Sequence, residues 1–385
     1  MPRKKILWLC SWYPNKYEPF NGDFIQRHAR AAALFNDIHV IHLAADTSGV
    51  IKEKETVINS AEGLTEQIIY YPVRETFWGK VKAHYRWLFL YKQALRNYII
   101  KNGKPALVHV QVPMKAGIPA VWLKKRYKVP FVVTEHWGIY NNVVEDQFEN
   151  RSRLFRHYTN KIFENASGFF SVSKYLAEGV NKLVGKKDFA IVPNTVDTGL
   201  FFLNNDKATV YRFIHVSNMV PLKNAEGILR AFAAFIRSGR DAQLVMVGDT
   251  DPAIRSFAAS LHIPEGKVSF RGEVPYMQVA KEMQQAHCLL LFSNIENSPC
   301  VIGEALCCGI PVIATTVGGI PELVDETNSL LVSPGDETAL LEAMNKMTES
   351  FAAYKANEIA TNAAMRFSYE SIGRRLDELY NKVTG

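Results

Sequence analysis

A chain of 385 residues is long for one core, so two domains of ordinary size are expected. With 48% hydrophobic and 22% charged residues it falls among soluble globular proteins, and no apolar run approaches the length of a membrane span. The net charge of +7 is uneven: residues 1–200 carry 29 Lys and Arg against 17 Asp and Glu (+12), and residues 201–385 carry 16 against 21 (−5). Such a split points to two halves with different partners.

The chain begins with basic residues, but the apolar run at 6–10 is too short for the core of a secretion signal and reads as a first buried strand. Residence in the cytoplasm is the expectation. The five cysteines (Cys10, Cys288, Cys300, Cys307 and Cys308) fit no zinc or disulfide spacing and read as reduced thiols. Gly22 then opens a helix at 23–35, whose first N–H groups face either a phosphate or acceptor, or nothing in particular. Strand-like runs follow at 38–43, 67–71, 107–110, 131–134, 168–172 and 190–192. Between them, residues 77–104 form a helix candidate mixing cations (Lys80, Lys82, Arg86, Lys92, Arg96) with aromatic rings (Trp78, Tyr85, Trp87, Phe89, Tyr91). It reads either as a sheet-covering helix with a basic outer face, as a peripheral contact with anionic lipid, or as a stack for single-stranded nucleic acid. His136 follows the strand at 131–134 and is expected at the rim of a ligand crevice.

The segment at 192–210, rich in Asn, Asp and Thr, separates this series from a second: strands at 212–216, 243–247, 268–270, 288–292, 311–314 and 329–332, with helices such as 225–236 and 279–285. Strands alternating with helices imply parallel sheets with crossover helices, hence doubly wound α/β domains. Asn224 is placed to cap the helix starting at Ala225, with Lys223 just before it. Asp249-Thr250-Asp251 imitates a metal-binding pair but reads as a loop. Glu296, in the loop after the 288–292 strand, and Glu304, in the following short helix, are separated by seven residues. A carboxylate accepts from two adjacent hydroxyls, so the two suit a ribose and a sugar. An amphipathic helix closes the chain, with Ile372, Leu376, Leu379 and Tyr380 near helical spacing.

The segment ENSPCVIGEALCCGIPVIATTVGGIPELV resembles the donor-site signature of family 4 retaining glycosyltransferases, which have the GT-B fold. Matches fall at Glu296, Glu304, Ala305, Gly309, Pro311, Val312, Ile313, Ala314, Gly318, Gly319 and Glu322. VPNTVDTGLF is similar to the family's interdomain motif, and FSYESIGRRLDELY to its terminal helix. The resemblance implies two Rossmann-like domains facing a cleft: residues 1–195 on the acceptor side and 196–368 binding a nucleotide sugar. The helix at 369–385 would pack back on the first.

By the same resemblance, His136, Glu296 and Lys223 are catalytic. Gly22, Asn218, Lys223, Glu296, Asn297, Ser298, Cys300, Val301 and Glu304 bind the donor. The family's arginine position carries Asn218, so one fixed positive charge is missing there. The implied activity is sugar transfer from a nucleoside-diphosphate sugar to an acceptor hydroxyl with retention, in cell-surface polysaccharide, lipopolysaccharide or glycolipid assembly, without metal or other cofactor. The implied partners are the donor and a glycan or lipid-linked acceptor, at the cytoplasmic face of a membrane, with nucleic acid a minor alternative. A nucleotide-sugar epimerase on the same fold, or a non-catalytic sugar-nucleotide or membrane module, are the rival readings.

Overall fold

The computed structural model describes residues 3–141, 147–249 and 251–385. Thr250 and the side chain of Lys80 lie outside the described residues. The chain forms two compact units, Met1–Pro193 with Tyr369–Gly385, and Asn194–Ser368. The division falls two residues before the expected one.

The first unit opens with β1 (Lys5–Cys10), α1 (Asp23–Ala33), β2 (Asp37–Asp46), β3 (Glu55–Ala61), β4 (Leu64–Pro72) and α2 (Phe77–Asn102). It continues with β5 (Leu107–Gln111), α3 (Pro113–Tyr127), β6 (Phe131–Glu135), α4 (Arg153–Asn165), β7 (Gly168–Ser171), α5 (Lys174–Leu183) and β8 (Phe189–Ile191). Its sheet runs β3-β4-β2-β1-β5-β6-β7-β8, parallel throughout except that β3 pairs antiparallel with β4. β1 shows why the sheet is covered on both faces. Ile6, Trp8 and Cys10 enter one apolar cluster and Leu7 and Leu9 another, so both sides of the strand are dry. β3 has no counterpart in the sequence reading. Nearly all its side chains are exposed, so the edge strand lacks the apolar alternation that would mark it.

The second unit comprises β9 (Arg212–Val216), α6 (Ala225–Arg237), β10 (Gln243–Val247), α7 (Pro252–Ser260), β11 (Val268–Phe270), α8 (Tyr276–Gln285) and β12 (Cys288–Leu291). Then come α9 (Cys300–Cys307), β13 (Val312–Thr315), β14 (Ser329–Val332), α10 (Glu337–Ser350) and α11 (Ala356–Phe367). All strand pairs are parallel, in the order β11-β10-β9-β12-β13-β14. This is the order of a dinucleotide-binding Rossmann sheet, in which the winding direction reverses between the first and fourth strands. Both units are therefore Rossmann-like α/β domains.

The last helix, α12 (Tyr369–Thr384), belongs to the first unit. Ile372, Leu376, Leu379 and Tyr380 are buried in one cluster with Trp8, Ile25, Ala29 and Ala32 of β1 and α1. Four such side chains bring about 1.5–3 kcal/mol each if fully buried. Gly373 permits the approach, since a Cβ there would strike the Ala31 carbonyl. Asn36 Nδ2 donates to Asp377 Oδ1 at 3.0 Å, and Lys4 Nζ donates to Thr384 Oγ1 at 2.8 Å. Where the chain enters and leaves the second unit, its two passes pair: Val196 N donates to Phe367 O at 2.8 Å, and Thr195 Oγ1 to the same oxygen at 2.9 Å. No helix among the described residues is long and apolar enough to cross a membrane.

Candidate active site

In an open α/β sheet, ligands sit beyond the carboxyl ends of the strands where the winding reverses. In the second unit that place lies between β9 and β12, and the loops following these strands hold Lys223 and Glu296. Lys223 Nζ donates to Glu296 Oε1 at 2.6 Å. The two loops are also tied by their backbones, Asn294 N donating to Leu222 O at 2.8 Å. Ser293 Oγ donates to the same Glu296 oxygen at 2.8 Å. Glu296 Oε1 thus takes two donors, while Oε2 takes none from the described protein. The carboxylate is held by one oxygen and presents the other.

The Lys223 loop is shaped from beneath by His215. Its Nδ1 lies 2.9 Å from the Leu290 carbonyl, which only accepts, so the proton is assigned to Nδ1. Its Nε2 then accepts from Ser217 Oγ at 2.7 Å, and Ser217 Oγ accepts from Met219 N at 3.0 Å. Burial, with a smaller push from the Lys223 charge, lowers the His215 pKa to about 4, so the ring is neutral. Asn224, with φ of 49°, caps α6 by accepting from Gly227 N at 3.2 Å. Asn218 lies exposed in the same loop.

On the β12 side, Pro299 precedes α9 and offers no side-chain cap. Cys300 and Val301 form the first turn of α9, and the amino end of a helix favours an anion through its N–H groups and dipole. Ser298 is buried and its carbonyl accepts from Asn194 Nδ2 at 2.7 Å; Asn297, beside it, is half-buried. Glu304 lies one turn into α9, 3% exposed, and its Oε1 accepts from Tyr276 Oη at 2.7 Å. Burial, reinforced by the Glu304 charge, pushes the Cys307 thiol up to about 12, so it is inert packing. The acidic loop after β10 is spent internally: Asp249 accepts from Arg255 Nε at 2.6 Å and Gly272 N at 2.7 Å, and Asp251 from Ala253 N at 2.8 Å. Among the described residues no three His, Cys, Asp or Glu side chains group as metal ligands.

The first unit reverses its winding at β1 and β5. Gly22 has φ of 74°, and a Cβ there would meet the Trp12 and Tyr13 backbone at 2.8–2.9 Å, so the turn into α1 requires glycine. Behind it, Phe24 packs 4.9 Å and His28 5.7 Å from the ring of His136. His136 follows β6, and its Nε2 lies 2.9 Å from Gln111 Oε1. An amide oxygen accepts, so Nε2 is assigned the proton. Gln111 Nε2 reaches His109 Nε2 at 3.2 Å, and His109 continues to Thr134 Oγ1 (2.6 Å) and Tyr380 Oη of α12 (2.7 Å). Burial, then the neighbouring His28 and His109, hold the His136 pKa well below the usual histidine value; burial takes His28 to about 4.

Next to this chain is a buried carboxyl that makes no ion pair among the described residues. Glu135 Oε1 accepts from His136 N (2.8 Å) and Trp137 N (2.9 Å), and its Oε2 from Tyr140 Oη (2.9 Å). Burial raises its pKa to about 7 despite these three bonds. A cavity of about 420 Å³ opens at the same strand ends, lined by Trp12, Tyr71, Trp87, Trp137, Lys115 and Arg151 among others.

Residues 29–200 match the family model described as Glycosyltransferase Family 4, and residues 211–350 the one described as Glycosyl transferases group 1. The chain belongs to the family 4 glycosyltransferases. It is similar to a Bacillus subtilis protein named as a teichuronic acid biosynthesis glycosyltransferase, TuaC, at 26% identity over 368 residues, covering 89% of this chain and 88% of that one. It also resembles N-acetyl-alpha-D-glucosaminyl L-malate synthase of Bacillus anthracis, at 31% over 183 residues, 44% of this chain and 47% of that one. Among solved structures, sucrose-phosphate synthase from Thermosynechococcus elongatus superposes with a TM-score of 0.76 at 19% identity, over 99% of each chain. Anabaena Alr3699/HepE in complex with UDP gives 0.74 at 18%, over 98% of this chain and 100% of that one. These likenesses establish the GT-B fold.

Within this glycosyltransferase, Lys223 and Glu296 are in contact, whereas Glu304 is engaged by Tyr276. Asn218, Asn297, Ser298, Cys300 and Val301 lie on the loops and helix start after β9 and β12. Gly22 and His136 belong to the other unit, at the carboxyl ends of its strands. Sequence reasoning missed the side chains that hold these groups: Ser293, Tyr276, His215 and Gln111. Single polar residues on strands and helix starts carry no periodic signal, and their partners lie 3, 28, 75 and 25 positions away.

Proposed function

We propose that the protein transfers a sugar from a nucleoside-diphosphate sugar to a hydroxyl of a glycan or lipid-linked acceptor, with retention at the anomeric carbon, in cell-surface polysaccharide or glycolipid assembly. The observation that carries the reading is the Lys223–Glu296 pair at the reversal of the second sheet, in the loops that lead into α6 and α9. Bond breaking leaves negative charge on the departing diphosphate and positive character on the sugar. Lys223 and the α9 amides, including those of Cys300 and Val301, offset the first. Glu296 accepts from sugar hydroxyls through Oε2 while Ser293 steadies Oε1, and Glu304 takes the donor ribose by exchanging its bond to Tyr276. Asn218, Asn297 and Ser298 line the donor loops, and Gly22 opens a helix start toward phosphate or acceptor. His136, kept neutral, orients the transferred sugar. The aromatic cavity with Lys115 and Arg151 takes the acceptor. Fixed charges serve the leaving group in this scheme, so neither a metal nor another cofactor has a step.

Support comes also from relatives: TuaC is named for teichuronic acid biosynthesis, and Alr3699/HepE has been solved with UDP-glucose. The test is donor turnover with chelator present, with and without candidate acceptors, for wild type and Glu296→Ala. We expect transfer by wild type and a loss of about 10²–10³-fold in the variant. Equal rates in the two proteins would remove Glu296 from the reaction. Acceptor-independent turnover to an isomeric nucleotide sugar would replace transfer by epimerisation.

A further inference from the structure

The α2 helix carries a feature that sugar transfer does not use. Over 26 residues it holds six Lys and Arg and no Asp or Glu. One side faces the core through Trp87, Leu90, Tyr91, Ala94, Leu95 and Tyr98. On the opposite side, Trp78, Lys82, Tyr85, Phe89, Lys92 and Arg96 recur at steps of 4, 3, 4, 3 and 4, and all six are exposed. That spacing is one stripe along a helix, about 27 Å long at ~1.5 Å per residue. Trp78, Tyr85 and Phe89 are 71%, 69% and 63% exposed, although large rings are ordinarily placed where they lose water. At the amino end of the stripe a groove of about 910 Å³ is lined by Lys52, Arg74, Trp78, Lys82 and Arg86. Glu75, just ahead of the helix, is the nearest carboxylate in sequence.

We infer that this stripe is a docking surface for an anionic lipid bilayer, with the rings seated at headgroup level and the cations on lipid phosphates. Rings and cations interleave along one line, so a flat surface meets both kinds at once. The rings supply apolar burial at the interface, and the cations supply attraction that depends on lipid charge. A protein partner would need a complementary ridge of acids along the same length. A bilayer presents anionic charge at every point. The inference rests on the proposed reaction only in that a lipid-linked acceptor gives the docking a use. Binding itself is measured without turnover.

The experiment is co-sedimentation of the full chain with vesicles of phosphatidylcholine alone and of phosphatidylcholine mixed with phosphatidylglycerol, at low and high salt. The variants are Lys82→Gln/Lys92→Gln and Trp78→Ser/Phe89→Ser, checked for unchanged folding by circular dichroism and thermal midpoint. Wild type should bind the acidic vesicles, more weakly in high salt, and the neutral ones little. Each cation removed should lower partitioning about fivefold, and the ring variant should bind more weakly than wild type. Donor hydrolysis in solution should be unchanged in both variants, which separates a failure here from a failure of the proposed reaction. Absent or lipid-independent binding overturns the inference, as does binding that survives both variants. Tighter binding of single-stranded DNA than of acidic vesicles at equal salt, abolished by the same variants, overturns it in favour of nucleic acid.

Discussion

The two units solve one problem in opposite ways. Both place ionisable side chains beyond the carboxyl ends of a sheet that reverses its winding. In the second unit the groups are charged and answer one another: Lys223 meets Glu296 at 2.6 Å, with Ser293 on the same oxygen. In the first, burial disfavours the charged form of the histidines and of Glu135. His28, His109 and His136 are all pushed down, and Glu135, held by hydrogen bonds from His136 N, Trp137 N and Tyr140 Oη, is pushed up to about 7. A paired charge keeps its field for a ligand. A suppressed one keeps its shape and hydrogen bonds without the field. On the proposed reaction, the paired charges of the second unit would answer charge that develops, and the His136 chain of the first would hold a neutral hydroxyl in place.

The sharpest way to break this contrast is Lys223→Ala, which leaves Glu296 without its cation. We expect kcat to fall by about 10²–10³-fold with little change in thermal midpoint, as measured by donor turnover and calorimetry. A similar loss from Lys223→Met, which keeps the stem, would place the effect on charge rather than packing.

Next in size is Glu135→Gln. The folded protein holds the Glu135 proton up to about pH 7, whereas an unfolded chain releases it in the ordinary carboxylate range. The folded state thus binds more protons across that window, so this group's contribution to stability falls as pH rises from about 4.5 to about 7. The shift corresponds to about 3 kcal/mol, as an upper estimate. Glutamine can accept from His136 N and Trp137 N and donate to Tyr140 Oη, so the variant should lose less stability than wild type over the same range. Urea titrations at several pH values measure it, and parallel curves for the two proteins would deny the buried proton. The smallest effect is expected from Asn224→Ala, which removes the α6 cap and should cost about 1 kcal/mol of stability. It should also loosen Lys223 beside it, seen as a raised donor KM.

Legibility in the sequence was uneven for a physical reason. The buried parallel strands read directly, because a strand dry on both faces is a short apolar run between turn residues; β1, β12 and β13 are of this kind. Exposed β3 did not, since an edge strand with solvated side chains looks like loop. The loop positions of Lys223 and Glu296 and the cap at Asn224 were legible from their places at strand ends and a helix start. Their contact was not, because it joins residues 73 apart. His136 and Tyr380 were legible as single residues, but the chain joining them through Gln111 and His109 was not, because its links span 25 and 271 positions.

By itself the sequence determined the alternation of strands and helices, two parallel sheets and the loops that bear the acidic and basic side chains, since these follow from local hydrophobic pattern and turn chemistry. It also determined that the closing helix buries one face, because Ile372, Leu376 and Leu379 recur at helical spacing. Only the tertiary structure decided what that face meets. Periodicity fixes the direction of an apolar stripe and not its partner; the partner is chosen by shape, here by Gly373 admitting α1 and by Asp377 and Thr384 reaching Asn36 and Lys4.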